Sequence, residues 1–587
     1  MNYKVKWDLG LLYKSEHDPE MECDILAIEK ACSDFEKTYR NKAYIETPQK
    51  LAKALKQYES LNEAWLSKPL LYFYLKKDIE SDNTNLQARA TLVEHRIATA
   101  SNKATFFTLE IAKIPLVAQK RYLAEAVLQP YVHFLKNIFL NASYQLSEKE
   151  EQLNNLLNQT SEAMWLDVQK KMLGKQTVRY KKKRIPLSEA RDMLVNLPKK
   201  ERHLMAHEMT MVSKSISFLA EAELNAICNY KKVIDEKRGY KTPYSASVIG
   251  NENTEDEIKE FSELVTDHFG LSRRFYKLHA KLLGEKKITL ADRRVMIGAI
   301  KKKFDFKTGA SVAKDALTTA DPKYGALLES YLQKGQIDVY PRSGKSSGGY
   351  CMSVGDLPTY ILLNQVDNVQ SIETLAHEMG HAIHAELDNH LSPLYQGHSL
   401  ATAEVASMFF EQFVGLELQK YLSDEEKFIH LHRSLSEDIH AIFCQIACFN
   451  FELELHTRIR TEGQVSKEVM AQLMQKHLQA YCGDAFTITE DDGYSFVTWP
   501  HIRYFFYTYT YAYGGLVSRV LFENWKQDHA YIHKVEQFLS AGRSMNPKDI
   551  FKSIGITTNK AFFEAGLKGI EADIIKLEKL AKKMKKI

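Results

Sequence analysis

Residues Thr374–Leu387 read TLAHEMGHAIHAEL and contain the pattern H-E-x-x-H at His377, Glu378 and His381. Apolar residues recur at helical spacing through the segment, so it predicts an α-helix. On such a helix the two histidines lie one turn apart, within about 40° of each other, and can hold one Zn²⁺. Glu378 is then turned toward the open position of the metal, where a general base for water belongs.

A catalytic zinc site usually has a third protein ligand and leaves one position for water. Glu404, in the apolar run ATAEVASMFFEQF, is the predicted third ligand, because a carboxylate among apolar residues needs a partner. His398 in the preceding loop is the alternative ligand. Glu411 lies two turns after Glu404 and could accept the second ring N–H of a ligand histidine. The alternative without metal is a chance match on a helix with two surface histidines.

The segment WPHIRYFFYTYTYAYGG, residues 499–515, is rich in tyrosine and holds His501. Its tyrosines are Tyr504, Tyr507, Tyr509, Tyr511 and Tyr513. Interpreted as a helix, the segment places the first, second and fourth of these on one face. Phenol and imidazole donors can stabilise the oxyanion that forms when an amide is cleaved, where removing one donor typically costs about 100- to 1000-fold in rate. The alternative is an aromatic packing stripe.

A β-rich region precedes the metal-binding helix. Four short segments rich in Val, Ile and Tyr predict strands there: ADRRVMIGAI, GQIDVYPRSG, GGYCMSVG and TYILLNQV. At Gly349 and Tyr350 the strand edge could pair with an extended peptide backbone, with an ordinary mobile turn as the alternative. The nearby SGKSSGG, residues 343–349, resembles a phosphate loop, but Val339 stands where that motif needs glycine, so nucleotide binding is discounted.

The charge of the chain is nearly balanced, with 79 Lys plus Arg against 75 Asp plus Glu in 587 residues. This balance does not favour a nucleic-acid partner. The basic run KQTVRYKKKRI, residues 175–185, predicts a solvated β-hairpin edge, with a localisation or nucleic-acid patch as the alternative.

The cysteines and the N-terminus together predict a cytoplasmic protein without a membrane span. Seven cysteines lack any C-x-x-C pair, which indicates reduced thiols, and Cys444 and Cys448 are interpreted as buried core residues. The N-terminus carries charges where a signal peptide would be apolar, and the chain has no run of 18 apolar residues.

Helical periodicity dominates the first 200 residues. Thr47-Pro48 predicts a capped helix start, and Thr254 with Glu257 predicts a capping box. We therefore predict a mainly α fold with an N-terminal helical lobe at residues 1–200. Residues 201–587 are predicted to form the catalytic domain, with a small β-sheet beside the metal-binding helix.

Three linked motifs resemble the oligoendopeptidase F branch of the thimet oligopeptidase family of zinc metallopeptidases: HEMGHAIH, AEVASMFFE and PHIRYFFYTYTYA. WDLGLLYKSEHD and GGYCMSVGDLPTYILLNQ are also similar to that branch. The resemblance implies a two-lobed helical fold around a deep central channel with zinc on its floor. It also implies cytoplasmic cleavage of short unstructured peptides.

The resemblance assigns roles position by position. It implies His377, His381 and Glu404 as zinc ligands, and Glu378 as catalytic base and proton shuttle. His501 matches the family histidine that begins the late motif. Tyr507 and Tyr511 are the favoured oxyanion and substrate contacts, and Tyr504 is a further candidate. Arg503 stands where this branch more often carries an aromatic residue.

The resulting hypothesis is an endopeptidase with one Zn²⁺ per chain that hydrolyses oligopeptides. An exopeptidase with the same metal chemistry is one alternative, and a metal-free peptide-binding scaffold is another. Neither a nucleic acid nor a membrane is an expected partner.

Overall fold

The computed structural model describes residues 3–587, most of which lie in α-helices. The first helices are α1 (Pro19–Tyr39), α2 (Pro48–Ser60), α3 (Lys68–Ile79), α4 (Thr84–Ser101), α5 (Phe106–Ala112), α6 (Leu116–Ala124), α7 (Val132–Asn141), α8 (Glu148–Thr160), α9 (Glu162–Gly174), α10 (Leu187–Leu194) and α11 (Lys199–Ser215). Helix α2 begins as predicted, because the Thr47 side chain accepts a hydrogen bond from the backbone N–H of Lys50.

The remaining helices build the larger part of the molecule. They are α12 (Ser217–Arg238), α13 (Ser245–Gly250), α14 (Glu255–Asp267), α15 (Phe269–Leu282), α16 (Phe306–Ala320), α17 (Pro322–Lys334), α18 (Val369–Asp388), α19 (Leu400–Leu418), α20 (Asp424–Ile439), α21 (Gln445–Glu462), α22 (Lys467–Cys482), α23 (Tyr509–Gln527), α24 (Ile532–Leu539), α25 (Pro547–Ser553) and α26 (Lys560–Lys583). The predicted capping box at Thr254 and Glu257 is confirmed at the start of α14.

Two small sheets accompany the helices. Strands β1 (Thr177–Tyr180) and β2 (Lys183–Pro186) form the predicted hairpin, with Val178 opposite Ile185. Strands β3 (Ile337–Asp338), β4 (Tyr350–Met352) and β5 (Tyr360–Leu362) form a second sheet in the order β3-β5-β4. In this sheet β3 is parallel and β4 antiparallel to β5. The predicted mainly α class is confirmed, and the small sheet lies before α18 in the chain.

The strand predicted at ADRRVMIGAI, residues 291–300, was wrong. Its first residues end a 3₁₀ turn, Leu290–Asp292, and the rest is irregular. The carboxylate of Asp292 accepts hydrogen bonds from the Thr289 backbone N–H at 3.0 Å and from the Arg202 guanidinium at 2.8 Å. These bonds hold the backbone in a turn, so the apolar residues that follow do not extend into a strand.

The main hydrophobic core extends from Ile216 to Ala581 and contains α18, α19 and α23. A separate core in the N-terminal part includes Trp7 and also takes in Tyr360 and Leu362 of β5. The Trp7 indole donates to the carbonyl of Ile361 at 2.8 Å, so the start of the chain contacts the sheet. The division at residue 200 stays a prediction.

Helix α23 lies between α19 and α26 in this core. At Gly566 of α26, an added Cβ would meet the carbonyl oxygen of Leu516 at 3.0 Å, so a larger residue there would separate α26 from α23. The predicted core cysteines, Cys444 and Cys448, are buried. Among residues 3–587, no helix combines the length and apolar character needed to cross a bilayer.

Candidate metal centre

Helix α18 carries the H-E-x-x-H residues, and it begins where the Asn368 side chain accepts a hydrogen bond from the Ser371 N–H. The rings of His377 and His381 lie 5.2 Å apart, centroid to centroid. Gly380, between them in sequence, faces α19 so closely that an added Cβ would stand 2.6 Å from the Cα of Ser407. A glycine at this point therefore allows α18 and α19 to approach each other.

This approach brings the Glu404 carboxylate of α19 to the two histidines. Glu404 Oε2 lies 3.5 Å from His377 Nε2 and 4.0 Å from His381 Nε2. All three potential ligand atoms fall within 4.8 Å of one another. Two imidazoles and one carboxylate are a donor set that suits zinc and leaves a position open, so these residues fit a catalytic metal.

Glu411 fixes the orientation of the first histidine. The Nδ1–H of His377 donates to Glu411 Oε2 at 3.1 Å, which leaves Nε2 as the ring atom facing Glu404. Burial alone would lower the pKa of His377, but hydrogen bonds and charges from Glu404 and Glu411 raise it well above its usual value. The site thus concentrates negative charge that a bound cation would neutralise.

Glu378 lies buried next to this cluster, with 6% of its surface exposed. Burial raises the pKa of its carboxyl group to about 7. At Gly349, just before β4, an added Cβ would be 3.3 Å from Glu378 Oε1 and 3.0 Å from Thr374 Cγ2. Only a residue without a side chain leaves this space beside the carboxylate free.

Strand β4 is at one end of the sheet order, so only one of its edges pairs with another strand among residues 3–587. The hydroxyl of Tyr350 donates to Asp78 Oδ2 of α3 at 2.7 Å, and its ring packs against Trp7. The side chain of Tyr350 is therefore engaged within the protein, and its backbone is the part available at the strand edge.

The late tyrosine-rich segment was interpreted from its sequence as a helix, but it is not one continuous helix. It forms a short 3₁₀ turn followed by α23. Phe505 and Phe506 have φ angles of 48° and 59°, and this left-handed pair interrupts the helix. Tyr504 is consequently 61% exposed and does not share a helical face with Tyr507 and Tyr511.

His501, Tyr507 and Tyr511 nevertheless lie together. His501 Nδ1 and the Tyr507 hydroxyl form a hydrogen bond, and the Tyr507 and Tyr511 ring centroids are 5.7 Å apart. One turn after Tyr511, Gly514 lets α23 approach α19, because an added Cβ there would be 2.8 Å from the Cβ of Glu404. The aromatic cluster therefore borders the histidine–carboxylate cluster.

Comparisons with family models, known sequences and solved structures point to the same group of peptidases. The family model described as peptidase family M3 matches residues 310–568, and the one described as oligopeptidase F matches residues 110–174. The oligopeptidase PepF of Bacillus subtilis is 27% identical over 59% of this chain and 52% of its own length. An oligoendopeptidase F homolog of Lactococcus lactis is 23% identical over 99% of this chain and 98% of its own.

The chain belongs to the oligoendopeptidase F branch of peptidase family M3. Solved structures share its fold: a putative peptidase from Chlamydophila abortus has a TM-score of 0.82 at 18% identity, covering 99% of both chains. An oligoendopeptidase-F from Enterococcus faecium has a TM-score of 0.71 at 18% identity, covering 96% of this chain and 99% of the other. This M3 peptidase is thus a metalloendopeptidase, and its family implies a bound metal.

In the M3 peptidase, His398, the alternative third ligand, lies beside Asp388 and His384. Its Nδ1 is 3.7 Å from Asp388 Oδ2, and its ring is stacked on His384 at 4.0 Å with an interplanar angle of 12°. Parallel stacked imidazoles direct their in-plane lone pairs side by side and not toward a common point. The group of His384, Asp388 and His398 therefore has a less favourable geometry for binding a cation than the cluster that includes Glu404.

Sequence reasoning missed the residues that hold the late segment of the M3 peptidase in place. Arg503 is 1% exposed and forms a bidentate ion pair with Glu223 of α12. Glu452 of α21 accepts a hydrogen bond from the Phe506 N–H. One signal was present: an arginine within an aromatic, apolar segment requires a partner. Nothing local in the sequence identified that partner.

Proposed function

We propose that this M3 peptidase is a zinc-dependent endopeptidase that cleaves internal bonds of short, unstructured oligopeptides. The observation that carries the proposal is the convergence of His377 Nε2, His381 Nε2 and Glu404 Oε2 beside the buried carboxylate of Glu378. These three side chains would hold one Zn²⁺ per chain. When bound, zinc supplies Lewis acidity that polarises the scissile carbonyl and lowers the pKa of a water toward about 7.

Glu378 moves the protons in this proposal. Its carboxylate takes a proton from the attacking water and passes it to the nitrogen of the leaving amine, as a general base and then a general acid. Its enclosed position next to the ligand histidines supports this role, because a shielded carboxylate loses few protons to bulk solvent.

His501, Tyr507 and Tyr511 would donate to the oxygen that becomes negative as the amide is attacked. The hydrogen bond between His501 Nδ1 and the Tyr507 hydroxyl leaves one donor free in either tautomer. If the phenol donates to Nδ1, the Nε2–H of His501 is free. If Nδ1–H donates, the phenolic hydrogen can point to Tyr511 or to the oxyanion. The proximity of this cluster to Glu404 supports the assignment.

The substrate backbone would pair with the open edge of β4 at Gly349 and Tyr350. The unpaired edge and the space that Gly349 leaves beside Glu378 support this placement. Family names also support a peptide substrate, since the relatives in Bacillus subtilis and Lactococcus lactis are an oligopeptidase and an oligoendopeptidase F homolog. A reducing compartment such as the cytoplasm fits the free, buried thiols of Cys444 and Cys448.

The test combines metal analysis with cleavage of a quenched peptide blocked at both ends. We expect one zinc per chain, internal cleavage that chelation abolishes, and recovery when zinc is added. Glu378→Gln should keep its zinc and lose about 100- to 10,000-fold in kcat, the usual contribution of a general base. Glu386→Gln, an exposed carboxylate later on α18, is the matched control and should remain active. Full activity of Glu378→Gln, or no cleavage of the blocked peptide, contradicts the proposal.

A further inference from the structure

Two consecutive aromatic residues with left-handed backbone stand between His501 and Tyr507. The φ angles of Phe505 and Phe506, 48° and 59°, are unfavourable for bulky side chains. Such backbone persists only where surrounding contacts hold it, and it concentrates at functional sites. The contacts that hold this turn therefore determine how His501 and Tyr507 face each other.

Arg503 provides the first set of contacts. All five of its guanidinium N–H donors have an acceptor. Nε donates to the Glu223 carboxylate at 2.7 Å, and Nη2 donates to the same carboxylate at 2.8 Å and to the carbonyl of Val497 at 3.3 Å. Nη1 donates to the carbonyl of Phe496 at 3.1 Å and to that of Trp499 at 2.8 Å. The chain before His501 is thereby tied to α12. A lysine has only three donors and no planar fork, so it cannot replace these bonds.

The peptide groups of Phe506 provide the second set. Its N–H donates to Glu452 Oε1 at 3.0 Å, and its carbonyl accepts from the Ser247 hydroxyl of α13 at 3.1 Å. Glu452 is fully buried, and its other carboxyl oxygen has no hydrogen-bond partner among the described residues. Burying a carboxyl group costs free energy of folding. Its position next to the N–H of Phe506, a residue with a strained backbone, therefore indicates a specific structural role.

We propose that Arg503, Glu223 and Glu452 are positioning residues that hold the left-handed turn and so set the hydrogen bond between His501 and Tyr507. This inference rests on the proposed function, in which that pair donates to the oxyanion. Among the described residues, their hydrogen bonds go to the turn and to the chain before it and not to the ligand cluster, so these bonds act on the reaction through the turn.

Glu452 offers a matched pair of variants. Glu452→Gln keeps an oxygen acceptor for the Phe506 N–H, whereas Glu452→Leu removes it at similar size. We expect Glu452→Leu to lower kcat at least about 10-fold with KM and zinc content unchanged, because a misplaced donor costs transition-state stabilisation. Glu452→Gln should stay within about 2-fold of the wild type. Equal losses in the two variants overturn the proposal.

A double-variant cycle tests whether the effect passes through Tyr507. If Glu452 acts by placing that phenol, Glu452→Leu should cost little further activity in a Tyr507→Phe background. Fully additive losses overturn the proposal. Should Glu452→Leu fail to fold, Arg503→Lys takes its place in the same cycle, since it keeps the charge opposite Glu223 and loses donors to the carbonyls.

Crystal structures of the variants separate this inference from the proposed function. In Glu452→Leu the contact between His501 Nδ1 and the Tyr507 hydroxyl should be broken, and in Glu452→Gln it should be kept. An unchanged contact in Glu452→Leu overturns the positioning role whatever the activity. If the wild type cleaves no peptide, the proposed function fails, while these structures still decide the positioning role.

Discussion

Gly349 leaves the space that the Glu378 carboxylate needs beside β4. In Gly349→Ala the new methyl group would stand 3.0 Å from Thr374 Cγ2 and 3.3 Å from Glu378 Oε1, so the carboxylate must shift by tenths of an ångström. We expect kcat/KM on a quenched peptide to fall about 10-fold or more, since displacements of about 1 Å can cost about 100-fold.

Gly348→Ala is the control for that prediction. No atom lies within 4 Å of a Cβ added at Gly348, but its φ of 86° disfavours a side chain. This variant should lose about 1 kcal/mol of unfolding free energy and keep its activity. If both variants lose activity equally, a general disturbance of the segment before β4, and not the contact with Glu378, is responsible.

In the proposed site, Glu411 would act on the metal through His377. Glu411→Ala removes the acceptor that holds the His377 Nδ1–H at 3.1 Å and frees the ring to rotate. Zinc affinity, measured by competition with a chelator, should fall about 10- to 100-fold, the usual effect of losing such a partner. An unchanged affinity would show that the packing of α18 alone orients the ring.

For single residues, the sequence could indicate the members of the histidine–carboxylate cluster. It could not indicate contacts between residues that are far apart in the chain. The spacing of His377 and His381 follows from helical geometry, and the isolation of Glu404 among apolar residues pointed to a shared site. Arg503 showed the same isolation, yet its partner Glu223 is 280 residues away in the chain. No local pattern encodes a contact of that separation.

The packing of α18 on α19 depends on Gly380. In Gly380→Ala the added methyl group would meet backbone atoms, 2.6 Å from Ser407 Cα and 2.8 Å from the Ala406 carbonyl oxygen. Backbone cannot move aside as a side chain can, so α19 and Glu404 should be displaced. We expect a loss of about 1–3 kcal/mol of unfolding free energy and a fall in zinc affinity of at least about 10-fold.

Gly415→Ala on α19 is the matched control. Its nearest neighbour would be His430 Cε1 at 3.8 Å, an ordinary contact. Because alanine is a better helix former than glycine, this variant should gain up to about 1 kcal/mol and bind zinc normally. Urea unfolding and zinc titration of both variants test the prediction, which fails if Gly380→Ala binds zinc like the wild type.

Helix starts could be predicted where the chain supplies its own caps, as at Thr47 and Thr254. The late segment could not, because its tyrosine spacing is helical while its backbone turns left-handed at Phe505 and Phe506. Aromatic residues rarely adopt that conformation, so no sequence rule places a break there. Tertiary contacts to Glu452 and Ser247 decide the local structure.

Asp292 links distant parts of the molecule through Arg202 and His203. Burial alone would raise the pKa of Asp292, but its hydrogen bonds lower it from 3.8 to about 2. Because the folded pKa lies below the unfolded value, the stabilisation is complete above about pH 4 and is lost as pH falls toward 2. Asp292→Asn should therefore remove about 2 kcal/mol near pH 6 and little near pH 2. Urea unfolding against pH tests this, and a constant difference would contradict it.

The arrangement of the whole molecule was only partly predictable. Three of the four predicted strand segments form a sheet, but nothing in their order along the chain showed that β5 lies between β3 and β4. Nor did the sequence show that Trp7 bonds to Ile361 of β5. Such long-range pairings depend on the complete set of tertiary contacts, which no local periodicity reports.

Helix α26 packs on α23, and α23 in turn brings Gly514 against Glu404. A ribosome releases α26 after every other helix described in this chain, so a growing polypeptide lacks that support until Ile574 and Leu577 have emerged and packed. We therefore expect the centre to reach its final packing only after the last described helix has been synthesised.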